Sequence, residues 1–186
     1  MREQKRIPLL LISGPIGVGK TSVGFEVSEV LIEQEIPHTF VDLDQLRYTY
    51  PRPKDDRFGN RLGLQNLRDV WRNGAAAGAQ NLVIASVIET QSDVKEIEKT
   101  IPNAETMVCQ LRAKEETLSA RVRKREIGSG LDWHLRRAAE LAEILSGERV
   151  PNDFELWTDG REVRAIAQEI YDRTHWVLPS IFPIEK

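Results

Sequence analysis

Apolar residues follow two rhythms along the 186-residue chain. Short, nearly unbroken apolar runs occur from Ile7 to Ile12, at "HTFVDL" (38–43), "NLVIASVI" (81–88), "AETMVCQL" (104–111) and "FELWT" (154–158). Runs of this length fit strands covered on both faces. Elsewhere apolar residues return every three or four positions, as helices require: Val23, Val27, Val30 and Leu31; Leu135, Ala138, Leu141, Ala142 and Leu145; Val163, Ile166, Ala167 and Ile170. Strand alternating with helix predicts an α/β protein with a mostly parallel five-stranded sheet between two helical layers, because each crossover must pack back across the sheet. Two irregular stretches interrupt the pattern: "YPRPKDDRFGN" (50–60), and "EIGSGLD" (126–132), whose Gly128-Ser129-Gly130 divides two helices. Both are expected to move.

The first apolar run leads into "GPIGVGKTS", in which Gly14, four residues, Gly19, Lys20 and Thr21 satisfy G-x-x-x-x-G-K-[ST] between a strand and a helix. This is the Walker A or P-loop arrangement. Its glycines let backbone N–H groups curl round a nucleotide's phosphates, Lys20 reaches the β and γ oxygens, and Thr21 ligates Mg²⁺. Gly14, Pro15, Ile16, Gly17, Val18, Gly19, Lys20, Thr21 and Ser22 are therefore candidate nucleotide-binding positions, and the expected architecture is a three-layer P-loop NTPase fold. A dinucleotide fingerprint fits worse, since "GPIGVG" lacks G-x-G-x-x-G and that reading leaves Lys-Thr unexplained.

An acid that would hold the metal through water is expected at the end of a buried strand, but "NLVIASVIET" carries Ser86 there. "VDLDQLR" offers Asp42 and Asp44 instead, two apart at a strand's C-terminal end, where side chains at that spacing share a direction. One carboxylate would organise Mg²⁺ through water while the other accepts a proton from an attacking hydroxyl. The competing expectation is that Asp44 caps a helix starting near Gln45.

Composition narrows the setting. With 40% hydrophobic and 30% charged residues, and no tract approaching the roughly 20 apolar residues of a membrane span, a single domain over residues 1–186 in the cytosol is expected. Nothing after "MREQKR" reads as a cleavable leader. The net charge of −3 and pI near 5.7 disfavour nucleic acid as a general partner. Charge is uneven, however: Arg112, Lys114, Arg121, Arg123, Lys124, Arg125, Arg136 and Arg137 face only Glu115, Glu116, Glu126 and Asp132 in that stretch. A local basic strip suits a small polyanion. Within it, Arg121 and Arg125 are four apart on one helix, and guanidinium groups can both stack on adenine and bind phosphate bidentately. Arg52, Lys54, Asp56 and Arg57 are expected on an acceptor-side flap. The single cysteine, Cys109, excludes an internal disulfide and is read as a buried hydrophobe. Trp71 is read as core and Trp133 as a lid aromatic, while His38 and His134 lack metal-ligand spacing.

The P-loop, the D-x-D-x-x-R at Asp42, Asp44 and Arg47, and the R-x-x-x-R at Arg121 and Arg125 resemble the adenylyl-sulfate, gluconate and shikimate kinases, the polynucleotide 5′-hydroxyl kinases and the zeta-toxin kinases. "ETLSARVRKREIGSGLDW" is similar to the corresponding part of the tunicamycin-resistance ATP-binding proteins. These resemblances imply ATP and Mg²⁺ as cofactors, Asp44 as base or hydroxyl ligand, Asp42 and Thr21 on the metal side, and Arg47, with Arg57 of the flap, on substrate. They imply Arg121 beside adenine, Arg125 as a catalytic arginine of a helical lid over residues 121–137, and Gly128 and Gly130 as its hinges. Three functions follow: ATP-dependent phosphorylation of a small molecule's hydroxyl, with Lys20, Asp44 and Arg125 catalytic; ATP-dependent sequestration of a ligand in a resistance protein; and phosphorylation of polynucleotide 5′-hydroxyls.

Overall fold

The computed structural model describes residues 6–125, 130–147 and 150–176. Five strands, β1 (Ile7–Ser13), β2 (His38–Asp42), β3 (Asn81–Ala85), β4 (Ala104–Arg112) and β5 (Phe154–Trp157), form one all-parallel sheet in the order β2-β3-β1-β4-β5. The helices are α1 (Lys20–Glu33), α2 (Asn60–Ala76), α3 (Gln91–Thr100), α4 (Glu115–Arg125), α5 (Leu131–Leu145) and α6 (Val163–Thr174). The expected α/β class and parallel five-stranded sheet are observed. Among the described residues no helix is long and apolar enough to cross a membrane.

The central strand explains why its sequence is apolar throughout. Successive β1 side chains alternate between faces: Leu10 and Ile12 pack with Val27, Val30 and Leu31 of α1 and with Ile166 and Ile170 of α6. Leu9 and Leu11 pack on the other face with Leu67 and Trp71 of α2 and Val94 and Ile97 of α3. Burying each such aliphatic side chain contributes roughly 1.5–3 kcal/mol. Cys109 lies wholly inside the first cluster, and burial pushes its thiol pKa well up, so it acts as a small hydrophobe as expected. The outer strands β2 and β5 are only partly buried, contrary to the two-sided burial their composition suggests, because each has one neighbouring strand.

Other departures have local causes. The third strand stops at Ala85, three residues short of the apolar run. Ser86 still donates its N–H to Ile12 O (3.1 Å), but the chain then leaves the sheet and Ile88 donates to Ser13 Oγ (3.0 Å) instead. Helices α2 and α3 were not singled out by periodicity; α3 opens on a capping box in which Thr90 and Asp93 satisfy each other's backbone N–H groups. Gly128 lies outside the described residues. Gly130 precedes α5 at φ −83° and ψ −12°, a conformation any residue adopts.

Asp159 fastens the start of α4 to the end of β5. It accepts hydrogen bonds from the Thr117 hydroxyl (2.6 Å) and the Lys114 N–H (3.2 Å), and the hydroxyl bond chiefly holds its carboxyl below the usual range. A depressed carboxylate pKa contributes stability above the unfolded value near 3.9, lost as pH falls through the folded value. Asp159→Ala is accordingly expected to lower Tm at pH 7 by about 2–4 °C, for a loss near 1 kcal/mol. The difference from wild type should shrink as calorimetric scans move to more acid solution.

Candidate active site

Most of the candidate residues belong to strand ends, loops and helix ends at the carboxyl edge of the sheet, the edge at which ligands of open α/β sheets bind, and Arg121 comes from within α4. The loop after β1 must turn tightly under the end of β4. Gly14 has φ +149°, and a β-carbon there would stand 2.7 Å from Leu111 O. The loop ends at Gly19 in a left-handed conformation, with no side chain capping α1. The N–H groups of the first turn of α1 are thus left without side-chain acceptors, an arrangement suited to an anion.

Lys20 is half-buried and its ammonium donates to Gly14 O (2.9 Å) and Pro15 O (3.2 Å). Burial lowers its pKa, Asp44 and then Asp42 oppose that shift, and Arg125 adds to it. The ammonium therefore stands among two carboxylates and a guanidinium, with carbonyl dipoles as its direct partners.

Asp42 is the last residue of β2. Its Oδ2 accepts from the Thr21 hydroxyl (2.6 Å), and its Oδ1 accepts from the Asp44 N–H (3.0 Å). Asp44 is not in the strand, as alternation had placed it: it has helical φ and ψ of −66° and −32° and precedes a single 3₁₀ turn, Gln45–Arg47. Nor does its side chain cap that turn. It faces Arg47 Nη1 at 3.6 Å instead. Arg47 Nη2 donates to Ser86 Oγ (3.3 Å), while the buried Nε has no hydrogen-bond partner among the described residues. Ser86, sought as an acid, is a neutral anchor for Arg47. The arginine's stem lies against α2 at Gly63, where an added β-carbon would come within 2.7 Å of Arg47 Cγ. The hydroxyl and carboxylate of Thr21 and Asp42 are hard oxygen donors in contact, which fits Mg²⁺ held directly or through water. Among the described residues no group of three His, Cys, Asp or Glu forms a metal cage, so a cation there would take its other ligands from phosphate and water.

On the β5 side, Arg121 donates to Val18 O (3.0 Å), Thr158 Oγ1 (2.9 Å) and Thr158 O (3.2 Å), a bracket between the loop and the strand end. Arg125 lies exposed in the last turn of α4. A cavity of about 1460 Å³ brings together Lys20, Thr21, Asp42, Asp44, Arg47 and Arg57 with Arg121 and Arg125. Ile16, Gly17, Val18, Gly19 and Ser22 line it too, whereas Gly14 and Pro15 are not among its lining residues. Of the flap residues, Arg52 and Arg57 line the cavity, and Lys54 is not among the lining residues. Asp56 is buried and accepts the Leu62 N–H (3.0 Å), a bond that lowers its pKa and fastens the start of α2; its expected place on the flap is corrected to a structural one.

Sequence reasoning missed several lining residues. Thr158 and Arg161 reach the cavity from the loop after β5, and Glu89 from the loop after β3. Arg137, noticed only as part of the basic strip, pairs with Glu89 at 2.6 Å and joins α5 to that loop. Their position just beyond strand ends was the available signal.

No family model and no curated protein matches the sequence. Solved structures do resemble it in fold. A tunicamycin resistance protein of Deinococcus radiodurans is 16% identical with a TM-score of 0.61, over 94% of this chain and all of the other. The APS kinase of Mycobacterium tuberculosis, solved with AMPPNP and APS, is 21% identical with a TM-score of 0.58, over 90% of this chain and 96% of the other. The shikimate kinase of Acinetobacter baumannii, in complex with shikimate, is 20% identical with a TM-score of 0.57, over 91% and 93%. At these identities the likeness establishes the fold.

Proposed function

We propose that this chain transfers the γ-phosphoryl group of ATP to a hydroxyl of a small molecule. The observation that carries the reading is the arrangement around Asp42: its carboxylate accepts the Thr21 hydroxyl (2.6 Å) and the backbone N–H of Asp44 (3.0 Å), and all three residues line one cavity with Lys20. A phosphate-binding loop alone serves many purposes. A carboxylate beyond the metal-side one, free of capping duty and next to a guanidinium, suits an acceptor hydroxyl. The fold likeness to APS kinase and shikimate kinase, whose structures hold APS and shikimate, supports the same reading.

In this mechanism the loop N–H groups and Lys20 hold the β- and γ-phosphates, Lys20 exchanging its contacts with Gly14 O and Pro15 O for phosphate oxygens. Mg²⁺ bound at Thr21 and Asp42 would neutralise phosphate charge. Arg121 braces the loop and borders the adenine end, and Arg125 stabilises charge on the transferring group. Asp44 orients the acceptor hydroxyl and takes its proton as the oxygen–phosphorus bond forms and the bond to ADP breaks. Arg47, held by Ser86, faces Asp44 and adjoins the acceptor.

The test is ADP release from ATP and Mg²⁺ across a broad panel of hydroxyl compounds. An acceptor that raises ADP release and appears phosphorylated by mass spectrometry supports the reading. Tight ligand binding with no acceptor-dependent ADP release would replace it with sequestration, and turnover confined to 5′-hydroxyl oligonucleotides would replace it with polynucleotide phosphorylation.

A further inference from the structure

Six aromatic side chains stand exposed among the described residues: Phe25, Tyr48, Tyr50, Phe58, Trp133 and Trp157. Three of them, Tyr48, Phe58 and Trp133, line the large cavity, with 86, 64 and 52% of their surfaces open to water. Tyr48 and Phe58 come from the segment between β2 and α2, and Trp133 from the first turn of α5. None comes from the loop after β5, beside which the proposed adenine end lies. Rings left this open at a binding cleft fit a partner with an apolar, planar face.

Guanidinium groups are interleaved with these rings. Arg57 sits with its Cζ 5.6 Å from the centroid of Phe58, and Arg52 donates to Arg57 O (3.0 Å), tying the segment together. Arg47, which lines the same cavity, has a buried Nε with no acceptor among the described residues. Rings supply a stacking surface, while arginines supply both a stacking plane and a bidentate anion site. The cavity, at about 1460 Å³, also exceeds the roughly 300–1,000 Å³ usual for a single ligand. It has room for a second molecule of nucleotide size.

We infer that the phosphoryl acceptor joins a planar aromatic ring to an anionic group, as a nucleoside monophosphate does. The ring lies against Phe58, Tyr48 and Trp133, the anion meets Arg57, Arg52 and Arg47, and the hydroxyl to be phosphorylated is left at Asp44. This inference rests on the kinase reading above and adds the class of acceptor to it.

Calorimetry on the full chain separates the two claims. The protein is first titrated with a non-hydrolysable ATP analogue and Mg²⁺. The saturated complex is then titrated with the four common ribonucleoside 5′-monophosphates, their nucleosides, and ribose 5-phosphate. At least one monophosphate should bind about tenfold or more tightly than both ribose 5-phosphate and its own nucleoside. Phe58→Leu and Trp133→Leu should each lower that affinity by roughly tenfold, the scale of one ring–base stacking contact, and leave ribose 5-phosphate binding as it was. A complex in which no monophosphate binds more tightly than ribose 5-phosphate overturns the inference, as does a preference that survives both leucine variants. In either case analogue binding leaves the kinase reading in place; a chain that fails to bind the analogue loses both.

Discussion

Asp44→Asn should cut acceptor-dependent turnover by about 100-fold or more while ATP binding stays within about twofold, the usual scale for a positioned acid or base. The change removes the proton acceptor but keeps an oxygen facing Arg47, so the geometry of the turn should survive. The Asp44 N–H bond to Asp42 Oδ1, which fixes the backbone there, is untouched. Asp42→Asn should behave differently. Its carboxylate contacts the Thr21 hydroxyl, so its loss weakens metal organisation, and raised Mg²⁺ should restore part of the activity. No concentration of Mg²⁺ should rescue Asp44→Asn. Full turnover in Asp44→Asn would remove the base assignment.

Lys20→Ala should weaken ATP binding at least tenfold, and nearer a hundredfold if the ammonium bonds two phosphate oxygens, since charged hydrogen bonds are each worth about 1.5–3 kcal/mol. The fold should be undisturbed: the ammonium donates to the Gly14 and Pro15 carbonyls of its own loop. The wild type should also show a pH signature that the variant lacks. Burial holds the free Lys20 below its ordinary value of 10.5, and phosphates favour its charged form. ATP affinity should therefore fall as pH rises through the lowered value, with proton uptake on binding in that range. Calorimetry in buffers of different ionisation enthalpy measures both. Equal ATP affinity in wild type and Lys20→Ala would refute the phosphate role of the loop.

Part of this organisation was legible in the sequence because it is local. The glycine spacing before Lys20, the strand before it and the apolar rhythm after it lie within about twenty residues, and the backbone built there needs no distant partner to be recognised. Strand alternation does not account for Asp44, because the strand ends at Asp42; a backbone bond from the Asp44 N–H to the Asp42 carboxylate fixes the turn that carries it. Helices α2 and α3 escaped because each buries only a few apolar residues, Leu67 and Trp71 or Val94 and Ile97, among many polar ones. The run through Ile88 read as strand because a buried loop residue is as apolar as a buried strand residue. Thr158, Arg161 and Glu89 stand just beyond strand ends, which was legible, but which strand ends border one cavity depends on the order of strands in the sheet, a long-range property that no local window contains.

The sealed thiol of Cys109 has an experimental consequence. Because it is the chain's only cysteine and lies inside the core with its ionisation suppressed, maleimide reagents applied to the native protein should find nothing to attack. A cysteine introduced at an exposed position of α5, such as Glu143, can then carry a fluorophore or spin label without any background substitution being made first. Paired with a second label at exposed Glu29 of α1, it would report the separation of α5 and α1 in solution, before and after nucleotide is added.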